Sequence, residues 1–408
     1  MSSSTIDIAR LMGRIGDLAQ VGAIDGGGVC RLALTDDDKR GRDRVVSWMR
    51  ELGLTITIDR IGNVVGVRAG SEDGPPVMIG SHIDTVRTGG RYDGNLGVLA
   101  GLEVIACLEQ AGISTRHPVA VAFFTNEEGS RFAPDMMGSG AHQGALDVDA
   151  CLQTIGIDGA VVAAELERIG YAGDTPCGSV RARAYLELHI EQGPVLDRET
   201  ITIGAVEGVQ GISWTEVTLT GVSNHAGTTP ISMRTDAGYV AAELATFVRG
   251  LAREMGGTQV ATVGSLELSP NLINVVANRA KMTVDLRNTN ESLLSEAEAA
   301  TFAHLDEIAA AEGVSVSRRS LARFEPVDFD PQVIALVEAK ARALGHSVRR
   351  LPSGAGHDAQ MFAPRCPTGM IFVPSVNGIS HNVREHTAPE QIEAGANVLY
   401  AAVLELAE

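Results

Sequence analysis

Ile8, Leu11, Met12, Ile15, Leu18 and Ala19 recur at helical spacing, so the chain opens with an amphipathic helix that breaks at Gly26-Gly27-Gly28. Thr35 followed by Asp36-Asp37-Asp38 is a helix start and Gly53 a helix stop, which predicts a second helix over 35–52. Residues 56–67 alternate around Gly62-Asn63, as strand, turn and strand. The short apolar runs 76–80, 119–125 and 185–190 have the length of buried strands, and residues 95–112 between the first two form an apolar helix. Such alternation of strand and helix predicts an α/β sheet, where ligand sites lie at the carboxyl ends of strands.

The pattern changes style near Ile212. Residues 213–219 alternate, 236–255 are helical, 259–268 and 274–287 are strands, 291–312 are helical again, and 314–319 alternate. The order βαββαβ is a compact split-βαβ unit, expected to be an inserted domain over 212–329. After Pro326 the first style resumes, with a helix over 331–344 and a strand over 368–373. The expected fold class is therefore α/β: a catalytic domain with a central mixed sheet over 1–211 and 330–408, interrupted by the smaller βαββαβ domain.

Chemistry gathers where the apolar runs stop. His82 and Asp84 follow the run 76–80, and Asp93 lies in Tyr92-Asp93-Gly94. Glu127 and Glu128 follow the run 119–125, His189 ends the run 185–190, and His381 follows the strand 368–373. Imidazole and carboxylate oxygens suit zinc, manganese, cobalt or nickel, and Asp93 could bridge two such ions. A bridged pair of metals makes a hydroxide nucleophile near neutral pH, and an adjacent unligated glutamate can move its protons. Each residue alone has an ordinary explanation: Glu127-Glu128 as a solvated helix start, Asp93 as a turn residue. A lone histidine is more often a surface or core residue, and His117, His142, His304, His346 and His386 are read that way. Asp84, two residues after His82, can orient the imidazole by accepting its other N–H.

Composition narrows the partners. Lys+Arg is 33 against 51 Asp+Glu, a formal charge of −18, which argues against nucleic acid and anionic membranes. It leaves room for an anionic substrate, because one local arginine overrides the global field at contact distance. Cys30, Cys107, Cys151, Cys177 and Cys366 are scattered without a CxxC, which suits reduced thiols in a cytoplasm. No basic n-region precedes an apolar run and no stretch reaches a membrane span, so a soluble, cytoplasmic protein is expected.

Taken together, His82-x-Asp84, Asp93, Glu127-Glu128, His189 and His381 resemble the M20 metallopeptidase superfamily. Four longer strings resemble its hydantoinase/carbamoylase amidase branch: Gly89-Gly90-Arg91-Tyr92-Asp93-Gly94, residues 125–132 (TNEEGSRF), residues 189–194 (HIEQGP) and Ser223-Asn224-His225-Ala226-Gly227. That branch holds N-carbamoyl-L-amino-acid hydrolases, β-ureidopropionases and allantoate amidohydrolases. The resemblance runs in order over nearly the whole chain. It implies two divalent metal ions, one held by His82 and His189, the other by Glu128 and His381, with Asp93 bridging. It further implies Glu127 as general acid/base, Asp84 as a residue behind the ligands, and an inserted domain that acts as a lid and dimerises.

The resemblance also implies substrate contacts. His225 would stabilise the oxyanion, often across the dimer, and Arg287 would bind the substrate carboxylate, which a planar guanidinium can grip with two bonds. Met282, Val284 and Leu286 share one face of their strand, so Arg287 lies on the other, polar one. Asn274, Gln192 and Gly356, within Gly354-Ala355-Gly356-His357, match further substrate-lining positions, and His357 is equally well explained as structural. The expected activity is removal of the carbamoyl group from an N-carbamoyl-L-amino acid, a small ureido acid, by a homodimer. The alternatives are allantoate amidohydrolase or β-ureidopropionase, and further off an aminoacylase, a dipeptidase or a catalytically silent relative.

Overall fold

The computed structural model describes residues 5–408. The chain divides into two compact units, Met1–Gly208 with Asp328–Glu408, and Val209–Val327.

The first unit begins with α1 (Ile8–Ala19), which buries Leu11, Ile15 and Leu18. Helix α2 (Asp36–Glu51) starts where Thr35 accepts a hydrogen bond from the Asp38 amide, and three aspartates occupy the first turn, where the helix dipole favours them. The alternating stretch forms an antiparallel pair, β1 (Thr55–Ile58) and β2 (Val64–Arg68). Strands β3 (Val77–His82) and β4 (Val119–Phe124) are buried throughout. Between them, α3 (Asn95–Gln110) is buried from Asn95 to Leu108, which is why its sequence is apolar all round instead of striped. Helices α4 (Met137–Gln143), α5 (Val148–Leu152) and α6 (Val162–Ile169) fill a stretch that periodicity does not assign, because five to eight residues carry too few repeats. Then come β5 (Ala184–Ile190), buried throughout, α7 (Val195–Glu199) and β6 (Ile203–Val209).

The second unit runs β7 (Gly211–Thr220), α8 (Ala237–Met255), β8 (Val260–Ser269), β9 (Arg279–Asn288), α9 (Glu291–Glu312) and β10 (Ser315–Phe324). Its four strands form an antiparallel sheet in the order β10-β7-β9-β8. One sheet face buries Val217, Leu219, Met282, Val284 and Leu286 against Val240, Leu244 and Val248 of α8 and Leu305 of α9. The strand expected from Asn274 begins only at Arg279. Residues before it turn instead against the 224–226 segment, where Val276 N donates to Asn224 O and Ala226 N to Asn274 O, each at 2.9 Å.

The chain re-enters the first unit through β11 (Val327–Asp328), α10 (Pro331–Ala343), β12 (Val348–Ser353), α11 (Asp358–Phe362), β13 (Thr368–Val373) and α12 (Pro389–Leu406). Pattern reading assigns no helix to α12, although it packs Ile392, Val398, Leu399 and Val403 into the core against β5 and β13. The large sheet has nine strands, in the order β1-β2-β4-β3-β5-β13-β6-β11 with β12 beside β6. Strands β3, β4, β5 and β13 run parallel, and the β1–β2, β2–β4 and β13–β6 pairs are antiparallel, so the sheet is mixed. The carboxyl ends of the four parallel strands therefore share one edge. His82 and His189 belong to the last turns of β3 and β5 themselves, and Glu127 and His381 follow the ends of β4 and β13. Among the described residues no helix is long and apolar enough to cross a membrane.

Candidate metal centre

Asp93 is the centre of the arrangement. Its Oδ1 faces His82 Nε2 at 3.5 Å and His189 Nε2 at 3.2 Å. Its Oδ2 faces His381 Nε2 at 3.3 Å, and His381 Nε2 is 3.4 Å from Glu128 Oε2. Two groups of three ligand atoms thus share one carboxylate, His82–Asp93–His189 and Asp93–Glu128–His381, each group within 4.8 Å. Glu127 is buried beside the first group, with Oε2 3.2 Å from His82 Nε2.

Local structure sets each side chain. His82 Nδ1 contacts the Asp84 carbonyl oxygen at 2.9 Å and His189 Nδ1 contacts the Ile190 carbonyl oxygen at 2.9 Å. A carbonyl accepts only, so both rings carry a proton on Nδ1 and turn Nε2 toward Asp93. The Gly94 amide also donates to His189 Nε2, at 3.1 Å. Gly94 has φ +64°, and a Cβ there would lie 2.4 Å from His82 ring atoms, so both the turn and the ring require glycine. Asn126, at φ 57°, turns the chain after β4 and ties the following loop through its Nδ2 to the Phe132 and Pro134 carbonyls.

Asp84 differs from expectation. Its carboxylate stands 3.8 Å from His82 Nδ1, and the bond to the ring comes from its backbone carbonyl instead. The carboxylate accepts the Glu127 and Glu128 amides, at 3.2 and 3.3 Å, so it fixes the loop that carries both glutamates. Gln192 likewise is engaged with the cluster: its Nε2 donates to Asp93 Oδ2 at 2.8 Å, while its buried Oε1 has no hydrogen-bond partner among the described residues. Gly356 lies in the loop before α11, and a Cβ there would meet Met136 Cε at 3.0 Å. His357, next to it, is buried, bonds through Nε2 to Ser353 Oγ at 2.8 Å, and packs its ring 4.6 Å from that of His189.

Several supporting residues were not legible in the sequence. Buried Glu385 accepts the Tyr92 and Asp93 amides at 3.1 and 3.2 Å and the Ser380 hydroxyl at 3.0 Å, so it holds the loop of Asp93. Its only signal is its spacing, four residues after His381. Glu187, two residues before His189 on β5, forms a third acidic–imidazole group with His189 and His357. Its oxygens already accept from Ser81 Oγ at 2.7 Å, the Ala359 amide at 2.9 Å and Tyr185 OH at 3.3 Å, which makes it a structural anchor.

The electrostatics fit a cation site. Burial alone would raise Asp93, but hydrogen bonds from His189, His381 and His82 hold it well below the usual carboxylate range. Burial, with the charges of Asp358 and Glu128 adding to it, pushes Glu127 well above its ordinary value, and burial pushes Glu128 up to about 8. Among the described residues none of Asp93, Glu127 or Glu128 pairs with lysine or arginine; their partners are imidazoles. Buried carboxylates and imidazole nitrogens converging without a lysine or arginine among them are the ligand set that a divalent ion completes.

The remaining expected residues belong to the second unit. His225 is exposed, and its Nδ1 accepts the Gly227 and Thr228 amides at 3.0 and 3.3 Å, which leaves the ring proton on Nε2 as an outward donor. Asn274 is exposed beside it, its carbonyl bonded to the Ala226 amide. Arg287 pairs with Asp285 at 2.9 Å and stacks 5.6 Å from the Trp214 ring centroid.

Residues 78–405 match the peptidase family M20/M25/M40. The N-carbamoyl-L-amino-acid amidohydrolase of Rhizobium meliloti is 41% identical over 99% of this chain and 97% of its own length. That of Geobacillus stearothermophilus is 39% identical over 98% of each. Among solved structures, a hydantoinase/carbamoylase family amidase from Burkholderia multivorans superposes with a TM-score of 0.96 at 46% identity over 99% of both chains. Fold, clustered donors and full-length similarity agree: the chain belongs to peptidase family M20/M25/M40, whose members are metal-dependent hydrolases.

Proposed function

We propose that this chain is a two-metal amidohydrolase that removes the carbamoyl group from an N-carbamoyl-L-amino acid, giving the amino acid, carbon dioxide and ammonia. The observation that carries the reading is Asp93, whose two oxygens face two separate groups of ligand atoms. The substrate class is supported by two relatives, 41% and 39% identical over almost the whole chain, that are named for it.

In this reading His82 and His189 hold one divalent ion, Glu128 and His381 the other, and Asp93 both. Zinc, manganese, cobalt and nickel all suit this mixture of imidazole and carboxylate. When bound, the ions would polarise the ureido carbonyl and lower the pKa of water. Glu127 takes the proton from the attacking water and returns it to the leaving nitrogen, a shuttle for which its buried position beside His82 is suited. Asp84 keeps Glu127 and Glu128 in place through their amides. Oε1 of Gln192 accepts a substrate N–H, and Gly356 adds a position without a side chain to the substrate lining.

Arg287 grips the substrate carboxylate, exchanging its Asp285 partner for the ligand. His225 donates from Nε2 to the oxyanion, and Asn274 adds a polar contact. Arg287 lies at the end of β9, whereas His225 and Asn274 adjoin the segment before its start. Eight strand steps, from Arg279 to Arg287, span about 26 Å, far more than a ureido acid. That span supports a reading in which one substrate held by Arg287 would take His225 from a second copy, in keeping with the expected homodimer.

The test is ammonia release with added manganese across N-carbamoyl-L-amino acids, N-carbamoyl-β-alanine and allantoate. Preference for an N-carbamoyl-L-amino acid is expected. Preference for allantoate or the β-alanine derivative would transfer the assignment to that substrate, and silence on all of them would end the enzymatic reading.

A further inference from the structure

Arg31 is completely buried, yet its hydrogen-bond acceptors are all neutral. Nε donates to the Ile83 carbonyl at 2.8 Å, Nη1 to the Leu18 and Val21 carbonyls at 3.0 and 2.8 Å, and Nη2 to Asn95 Oδ1 at 2.7 Å. Four of the five guanidinium protons are thus used, in directions that a lysine ammonium could not span. Burial lowers the group to about 10, which leaves it charged at neutral pH.

The four acceptors fall into two sets. Leu18 lies in the last turn of α1 and Val21 just beyond it, where the helix dipole favours a cation. Ile83 directly follows His82 at the end of β3, and Asn95 opens α3 two residues after Asp93. Asn95 passes the connection on, because both its Nδ2 and its backbone amide donate to the Asp93 carbonyl, at 3.0 and 2.6 Å. The backbone around Arg31 is laced to the same loop: Arg31 N donates to Thr85 Oγ1 at 2.7 Å, Thr85 N returns a bond to Arg31 O at 3.0 Å, and Val29 and Gly89 exchange bonds at 2.9 and 3.0 Å. Helix α2 makes way for this side chain, since a Cβ on Gly41 would lie 2.8 Å from Arg31 Cδ. Glycine in mid-helix is unfavourable, and here close packing against the arginine stem accounts for it.

We infer that Arg31 is a positioning residue of the metal centre, its guanidinium setting the spacing between the His82 and Asp93 loops through Ile83 and Asn95. It touches no ligand atom and no substrate. The inference rests on the reading that His82 and Asp93 hold metal.

The experiment compares full-length wild type with Arg31→Gln, Asn95→Ala and Glu103→Gln. Glu103 anchors α1 to α3 through the Asp7 amide and Arg10, at 3.0 and 2.7 Å, and so serves as a control for loosened packing away from the ligand loops. Manganese affinity of chelator-stripped protein is measured by calorimetry, and the thermal midpoint is recorded for each. Arg31→Gln and Asn95→Ala should weaken manganese binding about 10- to 100-fold, the usual effect of removing a partner behind the ligands. Glu103→Gln should lower the midpoint and leave affinity unchanged. If Arg31→Gln does not fold, Asn95→Ala, which removes the side-chain link between Arg31 and Asp93 and keeps the guanidinium, decides. Unaltered affinity in a folded Arg31→Gln or in Asn95→Ala, or an equal loss in Glu103→Gln, would overturn the inference alone. Wild type that binds no manganese would overturn the metal-site reading, and the inference with it.

Discussion

His189 and His381 both face Asp93, at 3.2 and 3.3 Å, from opposite surroundings. The His189 side chain is 1% exposed, its Nδ1 is fixed on a backbone carbonyl, and it sits within β5. His381 is 51% exposed, stands in a loop at φ 52°, and depends on its neighbours Gln192, Glu128 and Asp93 for orientation. Its contact with Asp93 pushes it up to about 9, as an imidazole stabilised by a carboxylate should be. The inner half of the cluster is thus fixed by the fold, whereas the outer half leans on neighbouring side chains. Preorganised ligands lose less conformational entropy on binding, so the two halves should hold metal with different strength.

The largest effect should come from the residue common to both halves. Asp93→Ala is expected to lose both ions and all ammonia release; elemental analysis that still finds one ion at full occupancy would show that the carboxylate is not shared. Glu127→Gln belongs to neither half and should separate chemistry from binding, with turnover down about 10²- to 10⁴-fold and metal content unchanged. Retained activity would remove Glu127 from its role. Next, His189→Ala should lower stability by roughly 1–3 kcal/mol as well as removing the inner ion, because it empties a buried position. His381→Ala should keep the wild-type thermal midpoint in the metal-free protein and bind one ion only. Stepwise chelation of the wild type should strip the outer ion first, and a single simultaneous release would break the contrast. The smallest change is expected from Glu385→Gln, which keeps the bonds to the Tyr92 and Asp93 loop but weakens them: about tenfold in metal affinity, measured by competition with a chromophoric chelator.

The difference between the halves also explains what could be read in advance. Buried parallel strands are apolar from end to end, so His82, His189 and the glutamates after Phe124 stand out as polar residues where such runs stop. The alternation of Met282, Val284 and Leu286 gave away the second sheet for a similar reason, since one face is covered and the other is not. Pairing was not legible, because which oxygen of Asp93 meets which imidazole depends on how β3, β5 and β13 lie side by side. Glu385, Glu187 and Arg31 were missed because each bonds to groups far away in the chain, several of them backbone, which leave no spacing to detect. Asp84 shows the limit most plainly: its spacing from His82 is as expected, yet the bond to the ring comes from an atom that every residue type possesses.

Gly94 carries a consequence beyond geometry. No residue with a Cβ fits there while the His82 ring stays where it is, since the added atom would overlap three ring atoms at 2.4–2.5 Å. Position 94 is therefore held to glycine for as long as a histidine stands at 82 in this pose. A lineage diversifying its substrates would vary elsewhere, and a randomised library that includes codon 94 would spend most of its members on proteins without a working centre.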